Sequence, residues 1–286
     1  MNISHSQLET FNACQYRWYL EKVRKVAQGP NTAFWLGTAF HEALEAFGQM
    51  SIAGERGNLD TVLIDALVGI ACQQLATERS LHDPSNQYVD EFQWDTMTTQ
   101  LDSMLTAFVE QIAPTYHPLA VEQQFSFAVD DAVQCLGYMD AITPHAIVDF
   151  KTASAKNFGR WIVDGADDKP QATAYLLAQD DRVAKGLDVV RPQKATFVVF
   201  GCDVASPHRV DVRLFPTRRS EEEKRLWLEE AAETAQVMRK IRADTVKPTH
   251  NPTILCRWCG VAGSCTVGRD FVQRNRWKME VPLLTG

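Results

Sequence analysis

The spacing of apolar residues changes once along this chain, from a helical period to an alternating one. Up to about residue 112 apolar positions recur every three or four residues, as they do on one face of a helix. From Ala120 to Ile142 apolar and polar residues alternate on both sides of Asp130-Asp131, which predicts a β-hairpin. The predicted order is helix, helical insertion, three strands, helix, two strands and a long charged helix, followed by a cysteine segment.

Capping residues and breakers give the predicted bounds of these elements. Ser4-x-x-Gln7 has the form of a capping box, and the helix that it opens is expected to continue to about Val23. A breaker at 82–86 separates the two helices of the insertion. The expected helices are 4–23, 36–50, 60–79, 90–112, 170–180 and 217–242, and the expected strands are 120–129, 132–142, 146–151, 194–201 and 209–215.

Composition places the chain among ordinary globular proteins. It has 286 residues, of which 45% are apolar and 23% charged, enough for one large domain. No apolar run approaches the ~20 residues that span a bilayer, and the first residues lack the pattern of a secretory signal. We therefore expect a cytoplasmic protein with no membrane partner. The cysteines number seven, and in a reducing compartment clustered cysteines more often bind metal than form disulfides.

The net charge of −7 argues against nucleic acid as a partner until its distribution is considered. Residues 239–278 contain nine Lys or Arg against two Asp, a net charge of +7, and residues 1–30 carry +2. Local basic patches are what phosphate binding needs, whatever the total charge. The alternative is a set of scattered, solvated basic residues, and charge alone does not decide between the two.

Four short signatures with a common chemistry occur in order along the chain. Asp140 lies near the end of a predicted strand, and Asp149 and Lys151 share one face of the next, because strand side chains repeat every two residues. Two adjacent strands can thus present two carboxylates and a lysine to one point. The signatures are Gly37-Thr38-Ala39-Phe40-His41, Gly137-x-x-Asp140, Asp149-x-Lys151 and Gln171-x-x-x-Tyr175.

Such a set of side chains suits the hydrolysis of a phosphodiester. Carboxylate oxygens bind Mg²⁺ or Mn²⁺, and a neutral histidine such as His41 adds a ligand that Mn²⁺ favours more. The metal polarises the phosphoryl group and lowers the pKa of a bound water. Lys151 can orient that water and stabilise charge in the transition state. The competing interpretation of His41 is a core histidine, which the accompanying signatures weaken.

Other candidate residues have two interpretations each. Glu122 lies on the preceding strand and either reaches the same metal or faces solvent, as polar residues on alternating strands usually do. Gln171 and Tyr175 are four residues apart and therefore share one helix face. Over the active site they could hydrogen-bond or stack against a nucleotide. Alternatively, Tyr175 is half-buried between helix and sheet.

The cysteine segment predicts a second metal centre. C-x-x-C followed by a third cysteine six residues later is a moderately strong metal signal, and Cys14 in the N-terminal helix can supply a fourth thiolate. Four thiolates on one centre would join the two ends of the chain. Zinc also accepts four cysteines, but structural zinc sites usually offer two C-x-x-C pairs. The three clustered cysteines are Cys256, Cys259 and Cys265.

The order of these signatures resembles the RecB-like branch of the PD-(D/E)xK nuclease superfamily. S-x-L-x-x-F-x-x-C-x-x-x-W from Ser6 to Trp18, with the cysteine array ending at Cys265, resembles its iron–sulfur subgroup. That subgroup includes AddB-type nuclease domains and CRISPR-associated RecB-like exonucleases, also carried by some phages. Two departures are the missing Pro before Gly137–Asp140 and an Asp, rather than Glu, at 149.

The resemblance implies a fold, an activity and a set of ligands. The fold is α/β, an α+β mixed sheet, in which a restriction-endonuclease-like core carries a helical insertion and an iron–sulfur clasp. One nuclease domain would span 1–286, with the clasp in 1–30 and 239–286, the insertion in 51–117 and the catalytic sheet in 118–216. The activity is Mg²⁺- or Mn²⁺-dependent cleavage of DNA, commonly exonucleolytic on single strands. The implied residues are Cys14, Cys256, Cys259 and Cys265 on a [4Fe–4S] cluster, His41, Asp140 and Asp149 on the catalytic metal, and Lys151 in catalysis.

Two other functions stay open at this point. One is a non-catalytic DNA-binding accessory subunit, against which the intact Asp140, Asp149 and Lys151 argue. The other is a zinc-stabilised adaptor, which metal content would reveal. Relatives work as monomers or as rings around DNA, so a homo-oligomer or a recombination or CRISPR protein partner is also open.

Overall fold

The structure is a computed structural model and describes residues 1–29, 31–85 and 87–275. Contacts group the chain into two compact units. The first is built from three stretches that begin at Met1, Ala128 and Leu228, and the second from Asn31–Phe127 and Leu136–Trp227. Within the described parts of the chain, no helix has both the length and the apolar character that a bilayer crossing requires.

The N-terminal helix is interrupted, so the expectation of one helix through Val23 is wrong. Helix α1 (His5–Ala13) begins where predicted, because the Ser4 side chain accepts the N–H of Gln7. Cys14 then adopts an extended conformation, with φ −165°, before α2 (Gln15–Trp18) and a π-helical turn (Tyr19–Val23).

Backbone groups freed at this break find partners in the C-terminal part of the same unit. The Asn251 side chain donates to the carbonyl of Ala13, and the N–H of Tyr16 donates to the carbonyl of Thr249. Tertiary contacts thus compensate the interruption, which local helix signals do not predict.

Three long helices open the second unit and confirm the expected helical elements in this region. They are α3 (Thr32–Ala53), α4 (Thr61–His82) and α5 (Glu91–Gln111). The Asn31 side chain caps α3 by accepting the N–H of Phe34, and Gly54 ends it with φ 75°. The buried face of α3 runs from Trp35 to Phe47 in helical spacing and packs in a core shared with α4 and α5.

The described strands form one mixed sheet in the order β1-β3-β4-β5-β6, with β2 also paired to β3. The five predicted strands are confirmed, and β1 is an addition. β4 pairs parallel with β5, whereas β3–β4 and β5–β6 are antiparallel. The bounds are β1 (Asn2–Ile3), β2 (Ala120–Asp130), β3 (Val133–Ile142), β4 (Ile147–Ala153), β5 (Ala195–Asp203) and β6 (Ser206–Thr217).

Two helices cross between the parallel strands β4 and β5. Helix α7 (Pro170–Ala184) is the predicted one and starts at its proline. Helix α6 (Ala155–Asp164) was not predicted, although its Ser154 cap and the spacing of Phe158 and Trp161 are helical signals. The two faces of β5 pack differently. Phe200 belongs to the core of α3–α5, and Phe197 to a cluster with Phe158 of α6.

The C-terminal part contains the long charged helix α8 (Glu221–Arg242). Ser220 caps this helix by exchanging hydrogen bonds with Glu223. Two 3-10 turns (Ile254–Trp258 and Ala262–Ser264) and α9 (Thr266–Arg274) follow. The clasp predicted for 239–286 extends past the described residues. Arg276 and Lys278 of the basic segment also lie outside them. The predicted breaker includes Asn86, which also lies outside them.

Candidate active site

His41 stands on α3 and faces a carboxylate of β3. Its Nδ1 lies 3.4 Å from Oδ2 of Asp140, and neither side chain is more than a third exposed. The buried residues Ala39, Phe40 and Ala43 around it fix the rotation of the helix. The histidine is therefore held at the edge of the core with its ring nitrogen turned to the strand.

Asp140 lies where the ladder between β3 and β4 ends. The two strands pair at Ala141 with Val148 and at Ile142 with Ile147. Beyond these pairs, Oδ2 of Asp140 accepts the N–H of Phe150 at 2.8 Å. A side chain thus takes the place of a backbone acceptor, and its carboxylate is oriented by the sheet itself.

Glu122 brings a third ligand atom to this place from β2. One ligand atom from each of Glu122, His41 and Asp140 can be chosen so that all lie within 4.8 Å of one another. Glu122 also has φ +44°, a left-handed conformation that is uncommon for a residue other than glycine. Such strain persists only where the surrounding structure imposes it, and it often accompanies function.

Burial and neighbouring charge oppose ionisation of both carboxyls. Burial raises the pKa of Glu122 to about 7, and the nearby Asp140 carboxylate adds to the rise. Burial and the charge of Asp149 likewise raise the pKa of Asp140, against the opposing influence of His41 and Lys151. The site therefore concentrates negative charge that a cation would stabilise.

A hard divalent cation fits this donor set. Carboxylate oxygens and an imidazole nitrogen are ligands that Mn²⁺ accepts readily, and Mg²⁺ accepts the oxygens. With bonds of about 2.1 Å, opposite ligands of such an ion stand about 4.2 Å apart. One ligand atom from each of His41, Glu122 and Asp140 lies within 4.8 Å of the others, close enough to share one ion.

Asp149 is almost completely buried and is held by several side chains. Its Oδ1 accepts hydrogen bonds from the Tyr175 hydroxyl at 2.7 Å and from Gln171 Nε2 at 2.8 Å. Its Oδ2 lies 2.7 Å from Nζ of Lys151, a partly exposed side chain. Gln171 Nε2 also donates to the Tyr175 hydroxyl. The two predicted signatures of β4 and α7 therefore meet on one carboxylate.

An open cavity of about 530 Å³ brings these groups to the surface of the unit. Lys151, Asp140, Glu122 and His41 all line it. Tyr175 is only 2% exposed, so it contacts Asp149 from below and not a molecule in the cavity. The remaining wall is formed by α3, with Ala33, Phe34, Gly37, Thr38, Glu42 and Glu45.

Comparison with known proteins decides the family. A profile of the PD-(D/E)XK nuclease superfamily matches residues 2–266. This chain belongs to the PD-(D/E)XK nuclease superfamily. Nucleases of this superfamily use divalent metals, and the His41, Glu122 and Asp140 group is a possible metal site.

Two further comparisons concern solved structures and curated proteins. The fold is similar to a solved structure of a candidate exonuclease from Eubacterium rectale, at 13% identity and a TM-score of 0.48. That alignment covers 90% of this chain and 80% of the other. A search among curated proteins finds no match.

Sequence reasoning missed two acidic residues of the nuclease cavity. Glu42 and Glu45 line it beside His41, from the same helix. Glu45, four residues after His41, shares its helix face, which periodicity could have indicated, whereas the spacing of Glu42 gives no such signal. Asp149, predicted as a metal ligand, contributes to no three-residue ligand group in the described part of the chain.

The four predicted cluster cysteines converge in the first unit of the nuclease. Cys14, Cys256, Cys259 and Cys265 line a cavity of about 220 Å³, and none of the chain's seven cysteines forms a disulfide. The N–H groups of Gly268 and Thr253 donate to two of the sulfurs, of Cys265 and Cys256, at 3.3 and 3.4 Å. No three of these sulfurs lie within 4.8 Å of one another in the described residues.

Basic residues of the first unit have mixed surroundings. Arg242 lies over the ring of Trp18, at 5.5 Å from its centroid, and Lys247 pairs with Asp244 at an exposed position. Arg257 lies over Trp258, which is 68% exposed. The predicted basic patch thus includes one exposed aromatic–arginine pair, alongside residues with structural contacts.

Proposed function

We propose that this nuclease is a metal-dependent DNA exonuclease that acts on single strands or DNA ends. The observation that carries the proposal is the meeting of His41, Glu122, Asp140 and Lys151 in one open cavity, with Lys151 paired to the buried Asp149. A binding module has no need of a lysine held on a buried carboxylate next to a ligand group. The preference for single strands and ends rests on the sequence resemblance to RecB-like exonucleases.

His41, Asp140 and Glu122 would hold the divalent cation, and Asp149 would complete the set through its Oδ2. When bound, the cation lowers the pKa of a water and polarises the phosphoryl group. Tyr175 and Gln171 keep Asp149 in one orientation through Oδ1, so Oδ2 is directed to Lys151. Such supporting contacts typically change activity by about 10- to 100-fold when they are removed.

Lys151 is the residue to which we assign charge stabilisation in the reaction. Its ammonium lines the cavity and is positioned by Asp149 at 2.7 Å. A phosphodiester in the cavity would offer it a non-bridging oxygen, on which negative charge grows in the transition state. Because the side chain is only one-third exposed, water screens this interaction less than it would on an open surface.

A cleavage assay tests the function. DNA labelled at one end or the other, single-stranded or duplex, is incubated with the protein in Mg²⁺, Mn²⁺ or EDTA. We expect metal-dependent release of mononucleotides or short fragments from single strands, with one label lost first. His41→Ala should need more metal for the same rate. Absence of cleavage by the wild type, with DNA still bound, would favour the non-catalytic accessory subunit.

We further propose that Cys14, Cys256, Cys259 and Cys265 hold a [4Fe–4S] cluster with a structural role. Their common cavity and the two N–H···S hydrogen bonds support this, since such bonds accompany thiolate-bound clusters. Zinc also accepts four thiolates, but structural zinc sites usually offer two C-x-x-C pairs, whereas Cys14 is single and remote in sequence.

Metal analysis tests the cluster. Protein purified without oxygen should be brown and contain about four iron atoms per chain. Cys259→Ser should lose the colour and iron and unfold more readily, whereas Cys72→Ser, outside the cavity, should keep both. Colourless wild-type protein that contains zinc and no iron would overturn the cluster proposal and favour a zinc-stabilised protein.

A further inference from the structure

Phe34 is a large apolar side chain on a face of α3 that does not pack in the core. It is 62% exposed, whereas its neighbour Trp35 is 1% exposed and belongs to the core. Phe34 lines the same cavity as His41, which lies seven residues further along the helix. Seven residues advance a helix by about 10.5 Å and return nearly to the same face. The ring is therefore offered to the catalytic cavity and not to the protein interior.

Gly37 lies between Phe34 and His41 and leaves the helix surface bare. Glycine inside a helix costs about 1 kcal/mol relative to alanine. Packing does not explain it here, because a Cβ at Gly37 would meet its nearest neighbour, Thr152 Oγ1, at an ordinary 3.6 Å. Gly48 of the same helix differs, since a Cβ there would stand 2.4 Å from Val121 Cγ1. Packing therefore does not require glycine at position 37.

Charge divides the cavity wall into two halves. On α3, the half beyond His41 carries Glu42 and Glu45, which repel a polyanion. The half before His41 consists of uncharged residues: Ala33, Phe34, Gly37 and Thr38. A phosphate backbone that reaches the metal ligands along this helix would therefore approach from the Phe34 end.

From these observations we infer a nucleotide subsite on the first two turns of α3. A nucleobase close to the scissile phosphate stacks on Phe34, and its sugar-phosphate backbone passes over Gly37. Bases stack on aromatic side chains in a sequence-tolerant way, so the subsite selects single-stranded nucleic acid and not a particular sequence. A paired base inside a duplex does not expose its face to the ring. The inference rests on the proposed nuclease function and names the strand form that its site accepts.

The first test measures binding to a short fluorescein-labelled single-stranded oligodeoxynucleotide by anisotropy in EDTA. Phe34→Ala should raise the Kd about 5- to 150-fold, the effect of removing one base–aromatic stack. Phe34→Trp should retain affinity. Phe92→Ala is a matched control, since Phe92 is 73% exposed in the first turn of α5 and is absent from the cavity wall.

An abasic site moved along the oligonucleotide identifies the stacked base. At one position it should weaken wild-type binding by a factor similar to that of Phe34→Ala. In Phe34→Ala the same abasic site should add little, because the partner ring is already gone. Equal affinity of Phe34→Ala and Phe92→Ala, or abasic penalties that simply add to that of Phe34→Ala, would overturn the subsite.

Gly37→Ala separates a ligand role from a structural one. Alanine should raise the Tm, since it is the better helix former and fits the space, yet it should raise the Kd for the oligonucleotide. Gly69→Ala on α4, where a Cβ meets nothing within 4 Å, should raise the Tm and leave the Kd unchanged. If Gly37→Ala binds the oligonucleotide with wild-type affinity, the proposed path of the sugar-phosphate backbone over Gly37 is wrong.

Cleavage of the same oligonucleotide in Mn²⁺ separates this inference from the proposed function. Phe34-dependent binding without cleavage would support the subsite and overturn the nuclease function. Cleavage whose KM does not depend on Phe34 would support the function and overturn the subsite. A wild type that neither binds nor cleaves the strand would overturn both.

Discussion

Asp149 shows what residue type and spacing can predict about a site, and which contacts they cannot predict. D-x-K and Q-x-x-x-Y were predicted as separate signatures from their periods alone. That both converge on one carboxylate depends on the packing of α7 against β4, which no local pattern encodes. The same holds for Glu122, whose reach to His41 depends on a left-handed backbone at one position of β2.

Tyr175→Phe should reduce both stability and activity. The change removes the hydroxyl that donates to the buried Asp149 carboxylate and leaves Gln171 as the α7 donor. Loss of one such partner costs about 1–3 kcal/mol of the free energy of unfolding. We expect kcat to fall about 10- to 100-fold with little change in KM.

Urea denaturation and steady-state cleavage measure these two effects. Tyr138→Phe is the control, because Tyr138 is 55% exposed on β3 and its change should leave both quantities unaltered. Wild-type kcat in Tyr175→Phe would contradict the positioning of Asp149 by this hydroxyl.

Metal binding should strengthen as pH rises from about 5 to 8. In the metal-free protein the pKa of Glu122 is raised to about 7, above the ~4.3 of an unfolded glutamate. In that window the folded protein binds the extra proton, so its stability without metal falls as pH rises through the folded pKa. Mn²⁺ displaces the proton, and its stabilising effect grows over the same range.

Thermal denaturation in Mn²⁺ and in EDTA measures this effect. The difference in Tm between the two conditions should widen with pH in the wild type and vary less in Glu122→Gln. A Mn²⁺-induced Tm shift that is constant between pH 5 and 8 would remove Glu122 from the ligand set.

At the scale of elements, the helices with clear periods and caps were predicted within a few residues. The break at Cys14 was not, because its backbone groups are compensated by the distant residues Thr249 and Asn251. Helix α6 was missed, although its Ser154 cap and the spacing of Phe158 and Trp161 indicate a helix. Hairpins were predictable from alternation, but the parallel β4–β5 pairing follows from the crossover of α6 and α7 and not from either strand.

Gly48→Ala should disturb the contact between α3 and β2. The new Cβ would stand 2.4 Å from Val121 Cγ1, next to Glu122 in sequence, so the strand must shift. Overpacking of this kind costs about 1–3 kcal/mol, and the shift should also weaken Mn²⁺ binding. Calorimetric unfolding and Mn²⁺ titration would measure both effects. Gly69→Ala, with open space around it, should leave stability unchanged or raise it. If Gly48→Ala also leaves stability and Mn²⁺ binding unchanged, the described packing of α3 against β2 is contradicted.

Across the whole molecule, the family was predictable from the sequence. Family membership was inferred from residues between Ser6 and Cys265, and the profile match over 2–266 confirms it. Two of the three stretches of the first unit were predicted together, as the clasp of 1–30 and 239–286, whereas the stretch that begins at Ala128 was not predicted. The residues of the proposed catalytic site lie within the second unit, and the four cysteines of the proposed cluster lie within the first.

The most direct measurement is single-turnover cleavage of single-stranded DNA in Mn²⁺ by wild type, Lys151→Ala and Lys169→Ala. Both lysines end a D-x-K sequence, but only Lys151 lines the catalytic cavity. Lys151→Ala should lose at least about 100-fold in rate, the effect of removing one transition-state charge partner. Its unfolding should also become somewhat easier, because Asp149 loses an ion pair. Lys169→Ala should cleave as the wild type does. Full activity of Lys151→Ala, or equal losses in both variants, would contradict the assignment of this site.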